Sequence, residues 1–187
     1  VRLFYAIALG ADVQAALAAS LASLDLDPRR FRAAPPAAYH LTLRFLGEVD
    51  GGRLPDLAAI GKRAASSVGP IPCVVSGLGT FPGGPRARVI WAGIEDLSAE
   101  GDLASVARRL EDALREAGFP AEERPFVPHV TLARARARGP AAVAIAPYRG
   151  PIARFVAAEL SLVRSQLGPG GSRHEVLAAF PFLAPAR

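Results

Sequence analysis

The sequence predicts an α+β fold built on antiparallel sheets, and three observations predict it. Segments with a strand period and segments with a helix period follow one another in mixed order, without the strict repeat of a doubly wound parallel sheet. Turns rich in glycine and proline, at Gly83-Gly84-Pro85 and Gly168-Pro169-Gly170-Gly171, join neighbouring strands as hairpins. Each half of the chain carries a helix, a proline-bearing turn and then a strand that opens near a histidine, His40 or His129. No low-complexity linker divides the halves, so residues 1–187 are read as two lobes of one domain.

Taken in order, Arg2 to Leu9 is aromatic and branched and reads as a strand. A helix follows from Asp12, a plausible N-cap, to Leu24, with Val13, Leu17, Leu21 and Leu24 at helical spacing. Pro35 and Pro36 break the chain before a strand from Tyr39 to Leu46. Leu57, Ile60 and Ala64 mark the buried face of a helix from Leu54 to Val68. Strands from Pro72 to Phe81 and from Arg86 to Ile94 form the first hairpin. The longest helix, Asp102 to Ala117, has the stripe Leu103, Val106, Leu110 and Leu114, and Gly118 and Pro120 stop it. Pro125 and Pro128 lead into a strand from His129 to Arg134, and the stretch up to Arg149 reads as loop with a short helix. Two strands, Arg154 to Ser165 and Arg173 to Phe182, close the prediction.

Composition narrows the function classes. Half the residues (51%) are hydrophobic, enough for a real core. The net charge of +5 comes almost wholly from arginine, since Lys62 is the only lysine. A basic surface attracts polyanions such as RNA, although a composition bias gives the same excess. Cys73 stands alone in the apolar run Ile71 to Val75 and reads as a small core residue in a reducing compartment. The first residues lack the pattern of a signal peptide, and no apolar run approaches the ~18 residues of a membrane span. A cytoplasmic monomer is the expectation.

Chemistry is concentrated in one repeated pattern. The chain has three histidines and three threonines, and two of each fall in His40-Leu41-Thr42-Leu43 and His129-Val130-Thr131-Leu132. On a strand, alternate side chains share a face, so each motif buries its apolar pair and presents an imidazole beside a hydroxyl. Two imidazoles near neutrality supply both an acid and a base, which hydrolysis of a cyclic phosphodiester requires. Threonine hydroxyls can hold the non-bridging oxygens as charge develops. A lone histidine on a strand is usually structural; a matched pair points to catalysis.

Other residues near the motifs are further candidates. Arg134 follows Thr131 by an odd offset, so simple alternation turns it away from the cleft unless the strand bulges. Phe45 and Phe126 flank the motifs and can stack on a base, with core packing as the commoner use. Trp91 also reads as core. No zincin, zinc-ribbon, esterase or P-loop motif is present, and a metal site would need His174 beside the other two histidines. No metal or other cofactor is expected.

The paired motifs resemble the signature of the 2H phosphoesterase superfamily. The chain is similar, more narrowly, to the RNA 2′,3′-cyclic phosphodiesterases of the LigT/ThpR type, first named 2′-5′ RNA ligases. The similarity runs from Arg2-Leu3-Phe4 through His40-Leu41-Thr42-Leu43-Arg44-Phe45-Leu46-Gly47, Gly77-Leu78-Gly79-Thr80-Phe81 and Arg88-Val89-Ile90-Trp91-Ala92-Gly93. It continues through Arg124-Pro125-Phe126-Val127-Pro128-His129-Val130-Thr131-Leu132-Ala133-Arg134 to Gly170-Gly171-Ser172-Arg173-His174-Glu175-Val176-Leu177. The resemblance implies a bilobal fold with two antiparallel sheets flanking a cleft and helices outside. It implies metal-independent opening of RNA 2′,3′-cyclic phosphate ends, with His40 as proton donor, His129 as proton acceptor, and Thr42 and Thr131 holding the phosphate. Ligation of tRNA halves through a 2′-5′ bond, or RNA binding without turnover, are the alternatives. One departure is visible: His174 stands where the family pattern has tyrosine.

Overall fold

The computed structural model describes residues 1–83, 86–136, 150–168 and 171–183. The expected turn at Gly84-Pro85, the loop over 137–149 and the turn at Pro169-Gly170 lie outside the described residues.

Among the described residues, nine strands, all paired antiparallel, and three α-helices follow in the order β1 (Arg2–Ala8), α1 (Ala11–Ala22), β2 (Phe31–Ala33), β3 (His40–Glu48), α2 (Leu54–Ala65), β4 (Ile71–Phe81), β5 (Val89–Asp96), α3 (Asp102–Glu116), β6 (His129–Ala135), β7 (Pro151–Ala157), β8 (Glu159–Gly168) and β9 (Gly171–Pro181). The sheet order is β7-β4-β5-β6-β3-β1-β8-β9, with β2 beside β6. The two halves expected as separate sheets meet at a single pair, Leu41 against Val130. Each half therefore ends on one of the motif strands, and the seam runs between them.

The core lies on the helix side of the sheet. Leu3, Tyr5 and Ile7 of β1, Leu41 and Leu43 of β3, and Val130 and Leu132 of β6 are fully or almost fully buried there, against Leu17, Leu57, Leu110 and Leu114 of the helices. Tyr5 carries its hydroxyl into this core and donates it to the Leu57 carbonyl of α2 at 2.6 Å, which satisfies a polar atom that burial would otherwise penalise. Cys73 is buried as expected, and burial pushes its thiol up to about 12. Gly118, at φ 82°, ends α3 in a conformation that side chains disfavour.

Two expectations need correction, and one strand had none. The expected strand from Arg154 to Ser165 is two strands: β7 pairs with β4 in one half, and β8 pairs with β1 in the other. The run contains no glycine or proline to mark the corner, which is held instead by the Phe182 amide on the Ala158 carbonyl. The three-residue β2 is too short to show alternation, and it exists because β6 offers it an edge. Asp12 is not the N-cap of α1; Gly10 holds that position and Asp12 lies in the first turn, where its charge suits the helix dipole. Among the described residues, no helix is long and apolar enough to cross a membrane.

Candidate active site

The two motif histidines are built alike. Nδ1 of His40 lies 2.7 Å from the Ala38 carbonyl, and Nδ1 of His129 lies 2.7 Å from the Val127 carbonyl. A carbonyl oxygen only accepts, so Nδ1 must carry the hydrogen in both rings. Each bond reaches back two residues, to the short segment that enters the strand. Each ring is thereby fixed as one tautomer, with Nε2 left for chemistry.

Strand register brings the four motif side chains together. Leu41 opposes Val130 at the seam, both pointing into the core. The residues on either side then face the cleft, with His40 across from Thr131 and Thr42 across from His129. All four are half-buried. His40 and His129 become diagonal neighbours, roughly 7–8 Å apart in an antiparallel pair. That spacing leaves room for one phosphate between two hydrogen-bonding rings.

A bulge follows the threonine in each motif. On β3 the pairing passes from Ala6–Thr42 to Tyr5–Arg44, skipping Leu43; on β6 it passes from Trp91–Thr131 to Ile90–Ala133, skipping Leu132. The extra residue resets the alternation beyond it. Phe45 and Arg134, each five residues after its histidine, consequently turn to the cleft side. Arg134 pairs with Val89 and Arg32, and its charge bears on His40. Phe45 opposes Phe4, is 39% exposed, and carries the Arg2 guanidinium over its ring at 4.9 Å. It is not a core residue. Phe126, by contrast, is half-buried and packs against the main core.

Aromatic rings wall each histidine. His40 stands against Phe4 (ring centroids 4.8 Å) and His174 (4.9 Å, edge to face). His129 stands against Phe81 (5.1 Å) and Trp91 (6.2 Å). Trp91 is therefore not in the core: Ile90 and Ala92 point there, while the indole lies on the cleft side, stacked on Phe81. It rests over Gly79, where an added Cβ would sit 2.3 Å from the Trp91 ring. Its Nε1 is buried without a hydrogen-bond partner among the described residues.

The surroundings of His40 disfavour charge on it. Burial is the main cause, opposed by the Ala38 hydrogen bond and reinforced by the nearby charges of His174, Arg134 and His129; together they lower its pKa to about 4. Burial also lowers His174. Burial, and then the charge of Arg2, lower Arg134. Among the described residues, no group of three or more His, Cys, Asp or Glu side chains could hold a metal ion.

One residue behind this site, Arg44, has a structural role with no signal in the sequence. The Leu43 bulge turns Arg44 to the helix side, where Nε donates to Glu111 of α3 at 2.7 Å, Nη1 to the Phe45 carbonyl, and Nη2 to the Pro120 carbonyl. Glu111 also accepts the Glu122 amide at 3.0 Å. Arg44 thus ties the first motif strand to the segment that leads into the second. Only the partners, distant in sequence, give it this meaning.

Two motif strands meeting at a seam, each offering an imidazole and a hydroxyl to one cleft, place the molecule among the two-histidine phosphoesterases. The chain belongs to the 2′-5′ RNA ligase superfamily, whose sequence profile matches residues 11–169. A Thermus thermophilus protein named RNA 2′,3′-cyclic phosphodiesterase is 38% identical over 186 residues, spanning 96% of this chain and 89% of the relative. A Methanothermobacter thermautotrophicus protein of the same name is 28% identical and spans 96% and 98%. Among solved structures, TT0787 of Thermus thermophilus superposes with a TM-score of 0.84 at 35% identity, over 98% of this chain and 99% of its own. E. coli LigT complexed with 3′-AMP superposes with a TM-score of 0.81 at 28% identity, over 97% of each chain.

Proposed function

We propose that this protein opens the 2′,3′-cyclic phosphate end of an RNA to a 2′-phosphate, with His40 as acid and His129 as base and without a metal ion. The observation that carries the reading is the matched pair of tautomer-fixed rings, each with Nε2 unengaged among the described residues, on one face with Thr42 and Thr131. The family and the names of its relatives support the substrate class.

His129 takes a proton from water on Nε2 as the water oxygen attacks phosphorus. The bond from phosphorus to O3′ breaks on the opposite side, and His40 gives its Nε2 proton to that oxygen. O2′ keeps the phosphate. Thr42 and Thr131 donate to the non-bridging oxygens, and Arg134 adds positive charge beside them. His40, held down to about 4 in the empty site, gains its proton when the anionic phosphate offsets its positive neighbours. Exchange with solvent then returns both rings to their starting states. RNA ends of the kind found on tRNA fragments fit the chemistry, a reducing cytoplasmic setting fits the single buried cysteine, and the monomer is the proposed form.

Replacing either histidine with alanine is expected to cost two to four orders of magnitude in kcat on a cyclic-ended oligonucleotide. A substrate with sulfur at the bridging 3′ position, a leaving group that needs no acid, separates the roles. It restores turnover to His40→Ala and not to His129→Ala. Restoration of His129→Ala instead would reverse the assignment, and full activity of either variant on the normal substrate would sink it. Tight binding without product would indicate an RNA-binding module. Joining to a 5′-hydroxyl RNA would reveal ligation.

A further inference from the structure

His174 stands on β9, paired with Ser165 of β8, on the face that carries Phe4 and Val163. Its ring meets His40 at 4.9 Å and 86°, and Phe4 at 5.2 Å and 75°. Phe4 in turn lies 4.8 Å from His40. Three rings from three strands, β1, β3 and β9, thus form a closed triangle with His40 at one corner. The neighbouring Glu175 is ion-paired with Arg164 of β8 on the opposite face, so the position of His174 is held from behind.

The contact is also electrical. The charged and titratable groups that bear on His40 are His174 from β9 and Arg134 and His129 from β6. None is acidic, so no charged side chain there stabilises a proton on His40 before an anion arrives, and only the Ala38 carbonyl favours it. Two imidazoles in edge contact resist carrying charge together. A tyrosine or phenylalanine would brace His40 as well but would impose no such constraint.

We propose that His174 is a positioning residue for His40, bracing the ring and, through its own charge, adding to the burial that holds off protonation of His40 before a phosphate enters. The proposal rests on the reading of His40 as the acid. It adds the residue responsible beside burial: the ring of His174, which this chain carries against its acid, tightens the coupling of proton uptake to binding of the anion.

The test is a proton NMR titration of the ligand-free protein, in which three histidines make assignment simple. His174 is exposed on its outer side, so replacement leaves the core intact. In His174→Gln, which removes the charge, the midpoint of His40 is expected to rise by about one pH unit. In His174→Lys, which makes the charge permanent, no rise is expected. A rise confined to the glutamine variant supports the proposal. An unchanged or lower midpoint in that variant, or equal rises in both, overturns it. The readout needs no turnover, so a wild-type protein inactive on cyclic-ended RNA would defeat the phosphodiesterase reading and leave this result standing.

Discussion

Each motif histidine spends one nitrogen on its own backbone so that the other has a defined role, and for His40 that arrangement is bought against burial. The consequence reaches stability. The folded pKa of His40 is lowered to about 4, against an ordinary value near 6.5 in the unfolded chain. Between those values the unfolded chain binds a proton that the folded protein refuses. Stability from this residue is therefore complete above pH 6.5 and drains away as the pH falls toward 4, by up to about 3 kcal/mol. Thermal melts of the wild type and His40→Gln at pH 7 and pH 4.5 check this: the wild type should lose more on acidification. Equal losses would mean that other groups carry the acid sensitivity. Addition of inorganic phosphate should narrow the difference, because an anion in the cleft favours the protonated ring.

Strand elements explain where reading the sequence succeeds and where it stops. His40, Thr42, His129 and Thr131 were legible because alternation holds within three residues and the motif occurs twice. Beyond the threonine it fails, since the bulges at Leu43 and Leu132 shift the faces of Arg44, Phe45 and Arg134. Bulges depend on the partner strand and leave no local mark in a leucine. The division of β7 from β8 was hidden for a similar reason, because Ala157-Ala158 carries no turn residue and only the destinations of the two strands separate them. Arg44 shows what such an element-level shift accomplishes. Its side chain is 10% exposed and that of Glu111 23%, so removing the arginine strands a carboxylate in a poorly solvated place. Arg44→Ala should cost about 3 kcal/mol in denaturant unfolding, while the paired change Arg44→Met with Glu111→Leu should recover most of it. If the single variant unfolds like the wild type, the tie between β3 and the approach to β6 is not a structural one.

At the scale of the whole molecule, the second half is the stretch β4 to β7, set between α2 and β8 of the first, joined by the short β2 at the edge of β6. The helices do not respect that division. α1 packs on β7 and β6, whereas α3 packs on α2 and β3. With cores interleaved in this way, the chain should unfold in urea as one transition, with fluorescence from Trp91 in one half and circular dichroism from the whole giving the same midpoint. Two midpoints would show that the halves are independent. The strand order carries a further consequence for synthesis. β1 lies between β3 and β8, and the apolar side formed by Phe4 and Ala6 is completed by Val163. A ribosome delivers β1 and β3 early and β8 much later. During translation the first histidine must therefore wait beside an uncovered greasy strip, and its surroundings close only after the β8–β9 hairpin has emerged from the exit tunnel.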